Sequence, residues 1–162
     1  MTGQEPPSRR APSPFGRRGF LLGGAALAAL CGAAAIRWYN VTADLGAGDL
    51  TVEEAHRAAV AGEVILIDIR RPDEWARTGV PQGAHALDMR RPDFLAELSA
   101  ATGGDRDRPV ALICARGVRS AALGARLAEA GYTRVLNVPE GMLGSGAGPG
   151  WIASGLPVTR PD

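Results

Sequence analysis

The chain has 162 residues, 46% of them hydrophobic, which suits one compact domain with a further segment and not two full domains. Two cysteines can close one bridge at most, which excludes a disulfide-built scaffold. Cys31, His56, His85 and Cys114 are scattered, without the paired spacing of a zinc site, so no metal or cofactor is expected. A net charge of +1, from 18 arginines and no lysine against 17 acids, excludes a DNA-binding domain driven by bulk charge, and no nucleic-acid partner is expected.

Residues 1–16 are rich in Pro, Ser and Arg and lack the apolar surface to fold. Arg17-Arg18-Gly19-Phe20-Leu21-Leu22 follows, then an Ala/Gly/Leu-rich stretch with no charge from Gly19 to Ile36 and small residues at its end, Ala33-Ala34-Ala35. A basic part, an apolar part and a small-residue end make the three-part pattern of an export signal. The paired arginines resemble a twin-arginine signal, with Gly16 where that motif often has Ser or Thr. Residues 1–35 are therefore expected to be a signal peptide read by the twin-arginine export machinery, with cleavage near Ala35. The alternative is a retained membrane anchor through 20–36, at the short limit for a span and followed by Arg37, Trp38 and Tyr39. Either way the globular part is expected outside the cytoplasm, in the periplasm or on the outer face of the inner membrane. Cys31 reads as one more small hydrophobe of this segment. Without residues 1–35 the chain keeps 14 Arg against 16 acids and one cysteine, Cys114.

After a linker at 36–44, residues 45–162 alternate strands and helices. Thr51-Val-Glu-Glu54 is a capping-box pattern that opens a helix running to about Ala61. Val64 to Ile69 is a continuous β-branched apolar run, the signature of a buried parallel strand. Pro72-Asp-Glu-Trp75 starts a one-turn helix, Pro81-Gln-Gly83 is a turn, and Ala84 to Met89 a short strand. A helix is predicted over 91–101, broken by Gly103-Gly104-Asp105, and a second buried strand over Pro109 to Cys114. Arg119 to Ala130 has Ala122, Leu123, Leu127 and Ala130 in helical register, with Gly131 at its C-terminal stop. Thr133 to Asn137 is a third strand, Gly144 to Gly150 a flexible loop, and Trp151 to Gly155 a last turn. This order predicts a single α/β domain, a parallel sheet covered by helices on both faces.

Cys114 ends a predicted core strand, and a short loop, Ala115-Arg116-Gly117-Val118, feeds the helix that Arg119-Ser120 open. Open α/β sheets bind ligands at the carboxyl ends of their strands. A loop entering a helix start turns several N–H groups toward one point, and the helix dipole adds about half a positive charge there. Arg116 and Arg119 add two cations, and together these favour the thiolate over the thiol. Gly117 supplies the φ freedom of a tight loop. The residues alone thus point to a nucleophilic sulfur in an anion-binding cradle. The other reading is a structural cysteine at a strand end.

Cys114-Ala-Arg-Gly-Val-Arg-Ser120 resembles the active-site loop Cys-x-x-Gly-x-Arg-Ser of the rhodanese-fold sulfurtransferases. Leu66 to Arg70 with Pro72, Glu74 and Trp75 is similar to that family's strand ending in Asp-x-Arg and the acidic-aromatic segment after it. Gly79 to Ala84 resembles the family's Gly-His-Ile-Pro-Gly-Ala turn, with Val80 in place of the His, so no role of that His carries over. Gly141, Trp151, Gly155 and Pro157 resemble its closing segment, with Glu140 in place of a Gly and an insertion over 143–150.

The resemblance implies a sulfurtransferase in which Cys114 takes the sulfane sulfur of a small anionic donor such as thiosulfate, or of a persulfide, and passes it to cyanide or an external thiol. It gives Arg119 and the N–H groups of the loop, Ala115 to Val118 and Ser120, the donor's oxygens and the persulfide to stabilise. It has Arg116 point outward and draw anions in, Asp68 brace the loop or Arg119, and Arg70 border the pocket. For Asp68 and Arg70 a structural ion pair is the alternative. Trp75 and Trp151 read as packing aromatics, His56 and His85 as surface or core residues. The rival functions are a sulfur-carrying or sensing module with little turnover, and a phosphatase or arsenate reductase. Those last enzymes place five residues between Cys and Arg, where four lie here.

Overall fold

The computed structural model describes residues 48–160. The expected export signal or anchor, the linker and Cys31 lie outside the described residues. Within them, no helix is long and apolar enough to cross a membrane.

Helix α1 (Val52–Val60) opens with the predicted capping box: Glu54 N–H donates to Thr51 Oγ1 at 3.2 Å, and Thr51 N–H to Glu54 Oε2 at 2.9 Å. Then come β1 (Ile65–Asp68), α2 (Pro72–Thr78), β2 (Val80–Pro81), β3 (Ala84–Ala86), α3 (Phe94–Thr102), β4 (Val110–Ile113), α4 (Val118–Glu129), β5 (Val135–Val138), α5 (Gly150–Ala153) and β6 (Val158–Thr159). The main sheet has the order β3-β1-β4-β5 with every pair parallel. The four residues of β1 and of β4 are all buried, as unbroken apolar runs require when both faces of a sheet are covered.

The alternation of side chains along each strand sorts the core into two halves. Ile65, Ile67, Ile69, Val110, Leu112 and Cys114 face Phe94, Leu98, Leu123, Leu127 and Tyr132 on one side. Leu66, Ala111, Ile113 and Val138 face Val52, Ala55, Met142 and Trp151 on the other. The sequence gives Cys114 its side by parity with Val110 and Leu112, which turns it toward the layer that carries α4.

Two features depart from the sequence reading. Val80-Pro81, read as part of a turn, is a strand that pairs antiparallel with β6, which the sequence did not announce: Val80 faces Thr159 and Pro81 faces Val158. Two-residue strands are too short to show periodicity, and Pro is tolerated in such an edge pair. Residues 144–150, read as flexible, form a hydrogen-bonded turn. Ser145 N–H donates to the Gly148 carbonyl at 3.0 Å, Ser145 Oγ to the Pro139 carbonyl at 2.8 Å, and Ala147 N–H to Ser145 Oγ at 3.1 Å.

Candidate active site

The site starts where β4 ends. Cys114 is 1% exposed and is a free thiol. Its carbonyl accepts the Met142 N–H at 2.9 Å, and the Ala115 carbonyl accepts the Leu143 N–H at 2.9 Å, so the segment after β5 clasps the loop from outside. Two glycines allow that approach. Gly117, at φ 85°, leads into α4, and a Cβ there would overlap the Pro139 carbonyl. Gly141, at φ 65°, lies against Ala115 and Arg116, where a Cβ would come within 2.6 Å of backbone atoms. With both carbonyls turned outward, the N–H groups of residues 115–119 donate to no acceptor among the described residues. This is the donor set that a loop entering a helix start offers to an anion.

Ser120 is fully buried, and its hydroxyl donates to the Gly117 carbonyl at 2.9 Å and lies 3.5 Å from Cys114 Sγ. It braces the inner side of the loop. Arg116 is exposed, and its Nη1 donates to the Gly144 carbonyl at 3.0 Å, tying the Gly-rich turn to the loop. Val118 and Ala115 are half-buried and contribute backbone.

Arg119 makes a two-pronged pair with Glu74 of α2: Nη1 donates to Oε2 at 2.8 Å and Nη2 to Oε1 at 2.7 Å. This contact, foremost, holds the Glu74 carboxyl down at about 2, against burial that opposes it. In return the bonds to Glu74, foremost, raise the pKa of Arg119 against burial that opposes it. The sequence placed Glu74 only within the segment that resembles the family's acidic-aromatic stretch; its pairing with Arg119, 45 residues away, left no local signal.

For Asp68 and Arg70 the geometry is the structural ion pair that stood as the alternative to Asp68 bracing the loop or Arg119 and Arg70 bordering the pocket. Asp68 and Arg70 are 0% and 1% exposed and close on each other, Nη2 to Oδ2 at 2.6 Å and Nε to Oδ1 at 2.9 Å. The remaining donors of Arg70 go to Thr78 Oγ1 and the Gly79 carbonyl, both at 2.8 Å. The pair is buried, and a lone charge there would cost several kcal/mol, about 3–5 by analogy with other broken buried pairs. Trp151 is in the core, its Nε1 donating to the Pro157 carbonyl at 2.9 Å, and Trp75 is buried. His56 packs edge-on against Trp151, and His85 is exposed.

A second carboxylate also escaped the sequence reading. Glu140 is 2% exposed and accepts the Val52 N–H and the Gly150 N–H, both at 3.1 Å. It pins the starts of α1 and α5 beside the Pro139–Gly141 segment that clasps the cysteine loop. Among the described residues no group of His, Cys, Asp and Glu comes together to hold a metal ion.

A parallel α/β domain with a buried cysteine at a strand end, a loop whose N–H groups find no acceptor among the described residues, and a braced arginine at the helix start defines the class of cysteine-loop α/β proteins. The Rhodanese-like domain model matches residues 51–145, and the chain belongs to the rhodanese-like family. A relative from Allochromatium vinosum, described as a sulfurtransferase, is 32% identical over 108 residues, covering 67% of this chain and 90% of that protein. The thiosulfate sulfurtransferase GlpE of Glaesserella parasuis is 31% identical over 111 residues, covering 68% of this chain and 91% of its own. Among solved structures, the polysulfide-sulfur transferase homodimer of Wolinella succinogenes superposes with a TM-score of 0.55 at 23% identity, covering 85% of this chain and 92% of that one, a likeness of fold.

Proposed function

We propose that this chain is a sulfurtransferase that works through a persulfide on Cys114. The observation that carries the reading is the union, at one strand end, of a free cysteine, a loop whose N–H groups find no acceptor among the described residues, and an Arg119 that Glu74 fixes at the helix start. The thiolate of Cys114 attacks the outer sulfur of the donor. With thiosulfate the new Sγ–S bond forms as the donor S–S bond breaks, and sulfite leaves with the electron pair. Charge on the persulfide and on the donor's oxygens is met foremost by the loop N–H groups, placed before the reaction begins, with Arg119, shared with Glu74, at the helix start. The outer sulfur then passes to a thiol acceptor, which regenerates Cys114. With no second cysteine in residues 36–162, that acceptor comes from outside this stretch of chain. The names of the relatives support sulfur transfer and make thiosulfate a reasonable donor to assay first.

The test is to incubate the protein with thiosulfate and weigh it intact. A gain of one sulfur atom that is absent in Cys114→Ser supports the mechanism. Transfer of that sulfur to cyanide or a thiol identifies an enzyme; an adduct without transfer identifies a sulfur carrier. No adduct with any sulfane donor overturns the proposal. We further propose that the paired Arg17-Arg18 route the domain out of the cytoplasm, which would place this transfer on the outer side of the inner membrane.

A further inference from the structure

The cations around Cys114 are largely spoken for by the protein itself. Arg70 is buried against Asp68. Arg116 stands in solvent with one amino nitrogen on the Gly144 carbonyl, where its charge is screened. Arg119 has both amino nitrogens on the two oxygens of Glu74. Glu74 has a side chain only 12% exposed. It also accepts the Arg71 N–H and Nε, but Arg71 lies in solvent and is itself paired with Asp73 at 3.2 Å. The guanidinium at the start of α4 therefore carries its counter-charge with it.

That matters for the choice of donor. A thiolate attacking thiosulfate gathers three negative charges at one point, and the leaving sulfite keeps two. Attack on an alkyl persulfide gathers two at most. A cradle of neutral N–H dipoles with a neutralised arginine suits the second far better than the first. We propose that Glu74 is a donor-selecting residue: by occupying Arg119 it disfavours dianionic sulfane donors and directs Cys114 toward persulfides. The proposal rests on the sulfurtransferase reading of Cys114 and names its donor class. In the step, Cys114 Sγ bonds to the outer sulfur of R–S–SH and the donor S–S bond breaks. R–S⁻ leaves with the electron pair, and the proton stays on the transferred sulfur. No oxidant or reductant enters.

The experiment compares the full-length protein with E74Q and E74D. Single-turnover formation of the Cys114 persulfide is followed by mass, with thiosulfate and with the persulfide of 2-mercaptoethanol. The readout is the ratio of the two second-order rate constants, which does not depend on the fraction of protein folded. The wild type is expected to favour the alkyl persulfide. E74Q, the same size without the charge, is expected to raise the thiosulfate constant relative to the persulfide constant by about tenfold or more, the scale of one charged hydrogen-bonding partner. The thiosulfate constant of E74Q should also fall more steeply with salt. E74D, which keeps the charge, is expected to stay close to the wild-type ratio. An unchanged ratio in E74Q overturns the proposal, as does a shift toward the persulfide, or an E74D shift as large as that of E74Q. An adduct from neither donor in any variant removes the sulfurtransferase reading itself, an outcome distinct from adducts with an unmoved ratio.

Discussion

Lowering the pH should dismantle the Glu74–Arg119 pair, and the cost can be worked from the structure. Glu74 falls from an ordinary 4.5 to about 2 in the fold, chiefly through its two bonds from Arg119. At about 1.4 kcal/mol for each tenfold change in proton affinity, this is worth about 3 kcal/mol of stability at neutral pH. Arg119 is 36% exposed, so solvent screening makes that figure an upper one. The sign follows from a lowered carboxyl. The contribution is complete above pH 4.5, declines as pH falls, and is gone once pH passes below 2. At pH 3, about 2 kcal/mol of it is already lost. The measurement is urea unfolding of wild type and Glu74→Gln at pH 6.5 and pH 3. Asp88, Asp93 and Glu54 also have lowered carboxyls, but they titrate in both proteins and cancel in the difference. The stability gap between the two proteins should shrink by up to about 2 kcal/mol on going to pH 3. A gap that is the same at both pH values would refute the claim that Arg119 holds this carboxylate ionised.

Four further expectations follow from single contacts. Arg119→Ala removes the guanidinium at the start of α4 and leaves Glu74 unanswered, so thiosulfate turnover should fall well over tenfold, with partial recovery in Arg119→Ala/Glu74→Gln; unchanged steady-state kinetics would take Arg119 out of the mechanism. Glu140→Ala strips the partner from two buried N–H groups and should cost about 2–5 kcal/mol by chemical denaturation; a loss below about 1 kcal/mol would show that neither bond matters. Gly117→Ala meets a positive φ and the Pro139 backbone together, so a loss of about 3 kcal/mol or more and a slowed Cys114 reaction are expected, and wild-type stability would contradict the close approach. Replacing Arg17-Arg18 with Lys-Lys should keep the protein in the cytoplasm on cell fractionation; normal export would exclude the twin-arginine route.

Much of the fold could be read locally. The capping box at Thr51–Glu54, the apolar runs of β1 and β4 and the 3.6-residue register of α4 are short-range patterns, and the elements lie within a few residues of where those patterns put them. The cysteine loop was legible for the same reason: strand end, glycine and helix start are contiguous from Cys114 to Ser120, so chain order alone brings their N–H groups together.

What the sequence by itself determined was the parallel α/β domain, the cysteine at the end of β4 and the arginine that opens the next helix, because each depends on neighbours within about a helical turn or a strand. Only the tertiary structure decided which carboxylate meets which arginine. Asp68 ends β1 and Glu74 lies in the first turn of α2, and either could have served Arg119. Asp68 closes on Arg70, while the first turn of α2 carries Glu74 across to the start of α4. The crossovers likewise brought Glu140 beneath two helix starts, folded the Gly-rich stretch over it, and paired β2 with β6. Ion pairs and short edge strands are settled by where crossovers land, at a separation in sequence over which no periodicity carries information, and here that landing pairs Arg119 with Glu74.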